Sequence, residues 1–577
     1  MKNLIKSLIL SLFTFLGILI YSKIIFKETT YNIFISLSFF LIWYYYYNYN
    51  PNYDKLTKYY SIILSIILSI LLSVGSIVSS YIYELDAPII FNIKNIIYSL
   101  ISIIGLSMFL YRIIGYSLLK LKKITFIEKH NKMSIKIYLL VSLIIFCGSL
   151  VYFLRYYPAI MTPDSYYVIH YSNNFIFSDF HTFGHTWFFG IFFHLGKLLF
   201  DSLNTAVAFS IIIQMICMSL IFSLVIKFLY DKGLKKNYCI FLVLLYTLNP
   251  LYTHYNITLW RDVMFGGSFI IILVSLYEYL NNKKITINNT LLFIIGIIIL
   301  LFFRNNGIYI YLFMIPFLII FLKEKRKFIS ILTITILIVY FIIKGPIFEY
   351  FNVEKTRSVE AFSIPLQQIA RVITSENEID NDDKLFLEKL FDYDTVKEKY
   401  NPTISDPIKN ITSNDILSNE KKQFFKTYLN LFIKYPNIYL EAYFLQTLGY
   451  WYPDNIYWAT AGESESIFDS ENVYSDPITS GIYNKIIDSS TSRRIPLSNL
   501  IWSIGLHFMV LLSSSLVLCY LGYKKILLSY VPLWGLWLSI VIATPVFSEL
   551  RYAYGLFTCM PLLLFIPLIT YSKNKVK

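Results

Sequence analysis

The sequence predicts an all-α membrane protein with about 14 transmembrane helices and an external, mainly helical soluble domain. Of its 577 residues, 56% are hydrophobic and 15% are charged, and the mean hydropathy is +0.58. One soluble core cannot bury that much apolar surface. Apolar runs of about 17 to 25 residues, long enough to cross a bilayer as helix, lie near residues 4–21, 31–47, 59–83, 96–117, 135–155, 205–229, 238–254, 263–280, 289–303, 308–322, 328–345, 498–521, 526–545 and 554–571.

The lysines orient these spans. The net charge is +14, but the lysines are spread over short loops between apolar runs, as orientation signals are, so no nucleic-acid partner is expected. Because such loops stay in the cytoplasm, both termini are predicted to be cytoplasmic in a multi-pass cell-membrane protein. The lysine-rich loops are at 120–136, 232–236, 283–284, 323–327, 524–525 and 573–577.

Residues 186–200 form an ambiguous segment. It is apolar and aromatic but short, and it contains His194 and Lys197. If it crossed the membrane, the later lysine-rich loops would lie on the opposite side from residues 120–136, against the positive-inside rule. We therefore expect an interfacial helix on the outer surface, although this scheme leaves Lys23 and Lys27 outside.

The spans and loops predict four regions. All five cysteines lie in apolar spans, where they pack as small hydrophobic groups and have no spacing suited to a metal site. Within the third region, helices are expected near 363–373, with Ser363 at the N-cap, and near 420–434 and 437–448. Residues 1–134 contain extra transmembrane helices, and residues 135–345 form a transmembrane core whose first external loop is at 156–204. Residues 346–497 form an extracytoplasmic domain, and residues 498–577 contain the C-terminal transmembrane helices.

The loop after the span 135–155 gathers acidic and imidazole groups. Asp164 follows Thr162-Pro163, so its carboxylate could cap a following helix, or it could act in chemistry at the membrane surface. His181 and His185 have the i, i+4 spacing of metal ligands, which is also common at the start of an interfacial helix. Asp179 lies beside them. Whether a divalent cation or another cofactor takes part is left open.

Three arginines lie at the predicted outer ends of spans. Arg261, Arg304 and Arg551 are each next to a polar residue, respectively Asp262, Asn305 and Glu549. Each could form a local ion pair or extend to the interface. If they converge, their guanidinium groups suit the phosphate of an anionic head group. The aromatic residues at 450–458 fit an interfacial belt or, alternatively, a surface on which sugars stack.

Several short motifs resemble an uncharacterised bacterial family of multispanning proteins, domain of unknown function 6020. The similarity runs from about residue 135 to the C-terminus. The family is in turn similar in layout to the GT-C membrane glycosyltransferases, in which the first external loop carries a key aspartate and is followed by helices on the outer face. The motifs are Pro-x-x-x-x-Pro-Asp-Ser at 158–165, Asp-x-His at 179–181, Thr-Leu-Trp-Arg-Asp at 258–262, Arg-Asn-Asn-Gly at 304–307, Ile-Pro-Leu-Gln-Gln-Ile-Ala-Arg at 364–371 and Glu-Leu-Arg-Tyr at 549–552.

The resemblance implies a GT-C-like fold and a glycosyltransferase that moves a sugar from a polyprenyl-phosphate donor to a cell-surface glycan, lipid or protein acceptor. Asp164 would then orient or deprotonate the acceptor. Arg261, Arg304 and Arg551 are assigned to the donor phosphate by their chemistry alone. A lipid or glycan transporter or flippase, a glycan polymerase or ligase, and a sensory membrane protein are the alternatives. The residues expected to support the site are Asp179, His181, His185, Asp262, Asn305 and Glu549.

Overall fold

The computed structural model confirms the all-α class. It describes residues 2–25, 41, 44, 52–82, 90–128, 132–176, 178–180, 182–282, 284–454, 457, 473–490 and 501–576. The structure is about 80% helical, and within the described residues it has isolated β-bridges but no strand. Eight described helices are long and apolar enough to cross a membrane, and five shorter apolar helices accompany them. The predicted span at 31–47 lies mostly outside the described residues.

The N-terminal part is a bundle of helices α1, Lys2–Ile25, α2, Lys55–Ser80, and α3, Ile93–Leu121. Helices α1 and α3 cross closely at Gly17 and Gly105. A Cβ atom at either glycine would come within 2.6 Å of the other backbone. Small residues at such a crossing allow the dispersion contacts that hold helices together in lipid.

The central part begins with the predicted span at 135–155 and continues through nine further helices. The core of this part lies around α10. Of the 18 most apolar consecutive residues of that helix, 89% are buried inside the structure, whereas in the segment Lys323–Tyr350 only 17% of the corresponding residues are buried. The helix α13 is therefore peripheral. The helices are α4 Ile135–Arg155, α5 Pro163–Asn174, α6 Phe183–Leu199, α7 Leu203–Asp231, α8 Lys236–Leu248, α9 Pro250–Asn256, α10 Arg261–Asn281, α11 Ile287–Phe303, α12 Gly307–Phe321 and α13 Arg326–Ile342.

In the central part, one predicted span is interrupted and another changes its helix type. The run 238–254 is broken at Asn249, whose side chain accepts a hydrogen bond from the amide of Leu251, while Pro250 lacks the N–H that would continue α8. Helix α13 passes into a π-helical turn, Ile343–Ile347, that contains Gly345 and Pro346. These breaks carry polar groups to the ends of apolar helices.

The polar segment after α13 has its own hydrophobic core, separate from that of the spans. Two of its helices confirm the predictions for 420–434 and 437–448. The prediction of Ser363 as an N-cap is wrong by one position, because a 3₁₀ turn, Ser358–Phe362, precedes the helix and leaves Ser363 as its first residue. We call this part, α14 to α20, the outer helical unit, because it lies in the region that the lysine pattern predicts to be external. Its helices are α14 Ser363–Thr374, α15 Asn381–Leu390, α16 Tyr393–Lys399, α17 Asp406–Ile411, α18 Asn414–Asn419, α19 Lys421–Lys434 and α20 Pro436–Thr447.

The C-terminal part returns to apolar helices. The predicted span at 554–571 is divided between Thr558 and Met560, and a 3₁₀ turn, Leu550–Ala553, precedes it. That turn carries Arg551. The helices are α21 Ile482–Ser490, α22 Ile504–Tyr520, α23 Val531–Ala543, α24 Tyr554–Thr558 and α25 Met560–Val576.

Candidate functional site

Two chain segments far apart in sequence are joined where α5 and α10 begin. Ile160 donates its amide to the carbonyl of Ile257 at 3.0 Å and accepts the amide of Leu259 at 2.9 Å, which forms a short parallel bridge. The indole N–H of Trp260 donates to Thr162 Oγ1 at 2.6 Å. Backbone pairing of this kind fixes both segments. It brings the loop of Asp164 alongside that of Arg261.

Asp164 is not the cap of α5. Thr162 holds that position, and Ser165 Oγ accepts its backbone amide at 2.9 Å in a capping box. Ser165 also donates to the carbonyl of Leu259 at 2.9 Å. The Asp164 carboxylate instead forms an ion pair with Arg551, and 32% of its side chain is exposed. The capping alternative for Asp164 is therefore wrong, because the Thr162 and Ser165 hydroxyls already serve the helix start.

Two of the predicted arginines form ion pairs with carboxylates far away in the sequence. Arg304 pairs with Asp262, whose side chain is 1% exposed, and Arg551 pairs with Asp164. The expected pair of Arg551 with its neighbour Glu549 is confirmed, with Nε 3.4 Å from Glu549 Oε1. The expected pairs of Arg261 with Asp262 and of Arg304 with Asn305 are wrong, because Asp262 faces Arg304 and Asn305 is bonded to Asp179 and Lys344.

Arg261 forms no ion pair with any described carboxylate. Its Nη1 donates to the carbonyl of Phe180 at 2.8 Å, and its Nε is buried without a partner among the described residues. The electrostatic influence of Asp164, Arg304 and Arg551 nonetheless reaches it. The structure thus brings the three predicted arginines and Asp164 together, and it leaves Arg261 the guanidinium least engaged by carboxylates.

Two aromatic rings hold the guanidinium groups in place. The Tyr552 ring lies 4.5 Å from Arg304 and 5.2 Å from Arg551, and the Trp260 ring lies 5.4 Å from Arg551. A cation over an aromatic face is attracted by the ring quadrupole. Sequence reasoning quoted both residues within motifs but assigned them no role. An aromatic residue next to a motif arginine is the signal that could have found them.

A second polar group adjoins the first. Lys344 forms an ion pair with Asp179 and donates to Asn305 Oδ1 at 3.1 Å. Asn305 in turn donates to the carbonyl of Asp179 at 2.8 Å. Sequence reasoning missed Lys344, although a lysine next to Gly-Pro at the end of an apolar run was a visible signal. His185 is buried, with its ring 6.0 Å from that of Phe303, and His181 lies outside the described residues.

The acidic and imidazole groups that the structure describes do not form a metal site. Among the described residues, no three or more His, Cys, Asp and Glu side chains are grouped as a metal would require. The carboxylates of Asp164, Asp262 and Glu549 each face an arginine. A bound cation would have to compete with those guanidinium groups, and we assign no chemical step to one.

The outer helical unit is tied directly to the segment that carries Glu549 and Arg551. Ser405 donates its amide to the carbonyl of Pro545 at 2.8 Å, and Phe547 donates its amide to that of Thr403 at 2.9 Å. The Tyr450 hydroxyl donates to the carbonyl of Val546 at 2.9 Å and accepts the amide of Glu549 at 3.1 Å. Burial raises the pKa of Tyr450 well above its usual value, so the phenol stays protonated and keeps this bridge.

The site is thus a layer of paired charges with one partly exposed carboxylate, Asp164, and one weakly engaged guanidinium, Arg261. Such a layer can hold an anion and accept a proton. No curated protein and no solved structure matches the chain. The model of a family of unknown function, DUF6020, matches residues 153–577, which is more than half of the chain and contains every residue of this layer. The chain therefore belongs to the DUF6020 family.

Proposed function

We propose that this protein is a membrane glycosyltransferase of GT-C-like architecture that moves a sugar from a polyprenyl-phosphate donor to a cell-surface acceptor on the outer face. The observation that carries the proposal is the convergence of Asp164 with Arg261, Arg304 and Arg551 in one layer. In this proposal about 14 helices span the membrane, α6 lies at the interface, the outer helical unit is extracytoplasmic and both termini are cytoplasmic.

The chemistry follows from what each group can do. The carboxylate of Asp164 accepts the proton of an acceptor hydroxyl while that oxygen bonds to the anomeric carbon of the sugar. The bond from that carbon to the phosphate oxygen breaks, and polyprenyl phosphate leaves with the electron pair. The guanidinium of Arg261 stabilises the negative charge that develops on the phosphate. Arg551 keeps Asp164 ionised, and therefore able to accept the proton.

A lipid-facing surface next to the layer supports a donor with a long hydrocarbon chain. A shallow, open apolar surface covers one face of α13 and the turn after it. It includes Ile338, 54% exposed, and Phe341, 58% exposed, and extends to Pro346. Lys344 is in the same turn and contacts Asp179. In the proposal a prenyl chain lies on this surface, with its phosphate toward Lys344.

The test is transfer by the full chain in lipid nanodiscs, supplied with a polyprenyl-phosphate sugar and candidate acceptors. We expect Asp164→Asn to lower the rate by about 100-fold or more, since general base catalysis contributes that much. Asp201→Asn, which alters an exposed carboxylate outside the layer, serves as the control at equal protein level and should keep the full rate. Arg261→Gln should weaken donor binding.

Undiminished transfer by Asp164→Asn would exclude its role as the base. The same chain reconstituted into sealed vesicles distinguishes an enzyme from a flippase. A flippase would move the lipid-linked sugar across sealed vesicles without forming a glycosylated product, and that outcome would overturn the proposal of an enzyme.

A further inference from the structure

A groove in the N-terminal bundle lies outside both the charged layer and the residues that the family model matches. It has a volume of about 530 Å³ and opens between α1, α2 and α3. The α3 end of the groove lies close to a lysine-rich loop, because Lys122 forms an ion pair with Asp54 at 3.6 Å. We call this feature the basic groove. Lysine-rich loops of this kind mark the cytoplasmic face of membrane proteins.

Among the residues that the structure describes, three cations and no carboxylate line the basic groove. Lys6, Lys58 and Arg112 face it from the three helices. The described segments that build it, residues 2–25, 52–82 and 90–128, contain Asp54 and Glu128 as their only acids. Asp54 faces Lys122 and Thr57, and Glu128 accepts the amide of Lys236. The groove is therefore electropositive.

Arg112 is the most buried of the three cations that line the groove. Its residue is 8% exposed, within a helix that is long and apolar enough to span a membrane. The carbonyl of Arg112 accepts the hydroxyl of Tyr53 at 3.1 Å, and the Tyr53 ring packs edge-on against Tyr111. Gly115 gives that ring its space, since a Cβ there would lie 2.5 Å from it. Charged groups held at such depth usually mark a functional site.

Part of the groove wall is apolar. Leu10, Ile62, Ile66 and Met108 line it along the helices beside the hydroxyls of Ser65 and Ser107, and Ile62 and Ile66 are 39% and 42% exposed. An inorganic anion would not contact the apolar part. A ligand with an anionic head and an apolar chain would contact both parts.

We propose that the basic groove binds an anionic phospholipid of the inner leaflet, with Lys6, Lys58 and Arg112 on the phosphate and an acyl chain along the apolar wall. A guanidinium group holds phosphate oxygens with paired donors. Basic pockets between transmembrane helices on the cytoplasmic side bind such head groups. This inference does not depend on the proposed transfer reaction.

The test is the affinity of the purified full chain for phosphatidylglycerol, compared with phosphatidylcholine of the same acyl chains, by native mass spectrometry. We expect the wild type to bind phosphatidylglycerol preferentially. The double variant Lys6→Gln, Lys58→Gln should bind it on the order of tenfold more weakly, since each cation near an anionic membrane surface contributes attraction. Both side chains are exposed, so the fold should be unaffected. Arg112→Gln should weaken binding further.

The matched control is Lys120→Gln, Lys123→Gln, which removes two exposed lysines at the same end of the bundle that do not line the groove. It should bind phosphatidylglycerol as the wild type does. Equal binding of the two lipids by the wild type would overturn the proposal, as would equal losses in both double variants. Displacement of the lipid by inorganic phosphate at the same concentration would show that the site recognises phosphate alone, which would also overturn it.

Discussion

Arg551 joins two carboxylates that differ in exposure. The Asp164 side chain is 32% exposed, and the Glu549 side chain is 4% exposed. A charge in contact with water keeps much of its hydration when it loses its partner, whereas a buried charge does not. The two carboxylates, Asp164 and Glu549, therefore contribute differently to the stability of the protein and to the chemistry proposed for it.

This difference predicts the effect of Arg551→Gln on stability. The substitution takes the guanidinium away from the carboxylate of Glu549, which is 4% exposed, and we expect a loss of about 3 kcal/mol in the free energy of unfolding. Asp164→Asn leaves Arg551 paired with Glu549, so its cost should be about 1 kcal/mol or less. Tryptophan fluorescence of the purified chain during denaturant unfolding measures both. Equal losses would contradict this account of Arg551.

The arginines and carboxylates of the charged layer were predictable from the sequence, but of their ion pairs only that of Arg551 with Glu549 was. Arg261, Arg304 and Arg551 stand out in the sequence because each lies at the end of an apolar span, beside another polar residue and away from the lysine-rich loops. The pairing of Arg304 with Asp262 connects the end of α11 to the start of α10. It depends on how helices pack, which sequence spacing does not contain. Tyr552 was not predicted because it contributes to the charged layer through the face of its aromatic ring, which lies against Arg304.

The helices that hold the residues of the charged layer begin or end next to that layer. Helices α5 and α10 start at the bridge between Ile160 and Thr258, and α11 ends just before Arg304. Apolar runs predicted most of these helices, because burial in lipid or in a core selects the same residues that form them. The break at Asn249 was missed, since Asn-Pro within an apolar run changes the average hydropathy very little.

The close packing of the turn after Arg304 predicts that position 307 requires glycine. A Cβ on Gly307 would lie 1.8 Å from the carbonyl oxygen of Leu300, which is backbone and cannot give way. We expect Gly307→Ala to separate α11 from α12 and to disturb the Arg304 to Asp262 ion pair, at a cost of about 3 kcal/mol or more. Denaturant unfolding measures the change.

The matched control for Gly307 is Gly345→Ala, in the turn that carries Lys344. No atom lies within 4 Å of a Cβ built there, so the free energy of unfolding should change by less than about 1 kcal/mol. If both alanine variants behaved alike, close backbone contact would not be the reason for glycine at 307.

Across the whole molecule, the charged layer and the basic groove lie in different parts of the chain. Helices α1 to α3 build the groove, and the layer is formed between Asp164 and Tyr552. The lysine-rich loops predicted an orientation for these parts, and the eight long apolar helices are compatible with a multi-pass membrane protein. The orientation itself depends on the interaction with the bilayer, so it stays a prediction.

Cysteine labelling in cells tests this orientation. Lys389→Cys, on the exposed surface of the outer helical unit, should react with a membrane-impermeant maleimide on intact cells. Lys284→Cys, in a lysine-rich loop, should react only after permeabilisation, because that loop is expected in the cytoplasm. The wild type, whose five cysteines lie in apolar segments, measures the background. The reverse pattern would invert the predicted topology.

The backbone hydrogen bonds between residues 403–405 and 545–547 couple the outer helical unit to the charged layer. Residues 545–547 lead within a few positions to Glu549 and Arg551. A displacement of the outer helical unit is therefore expected to shift these two charged side chains with it.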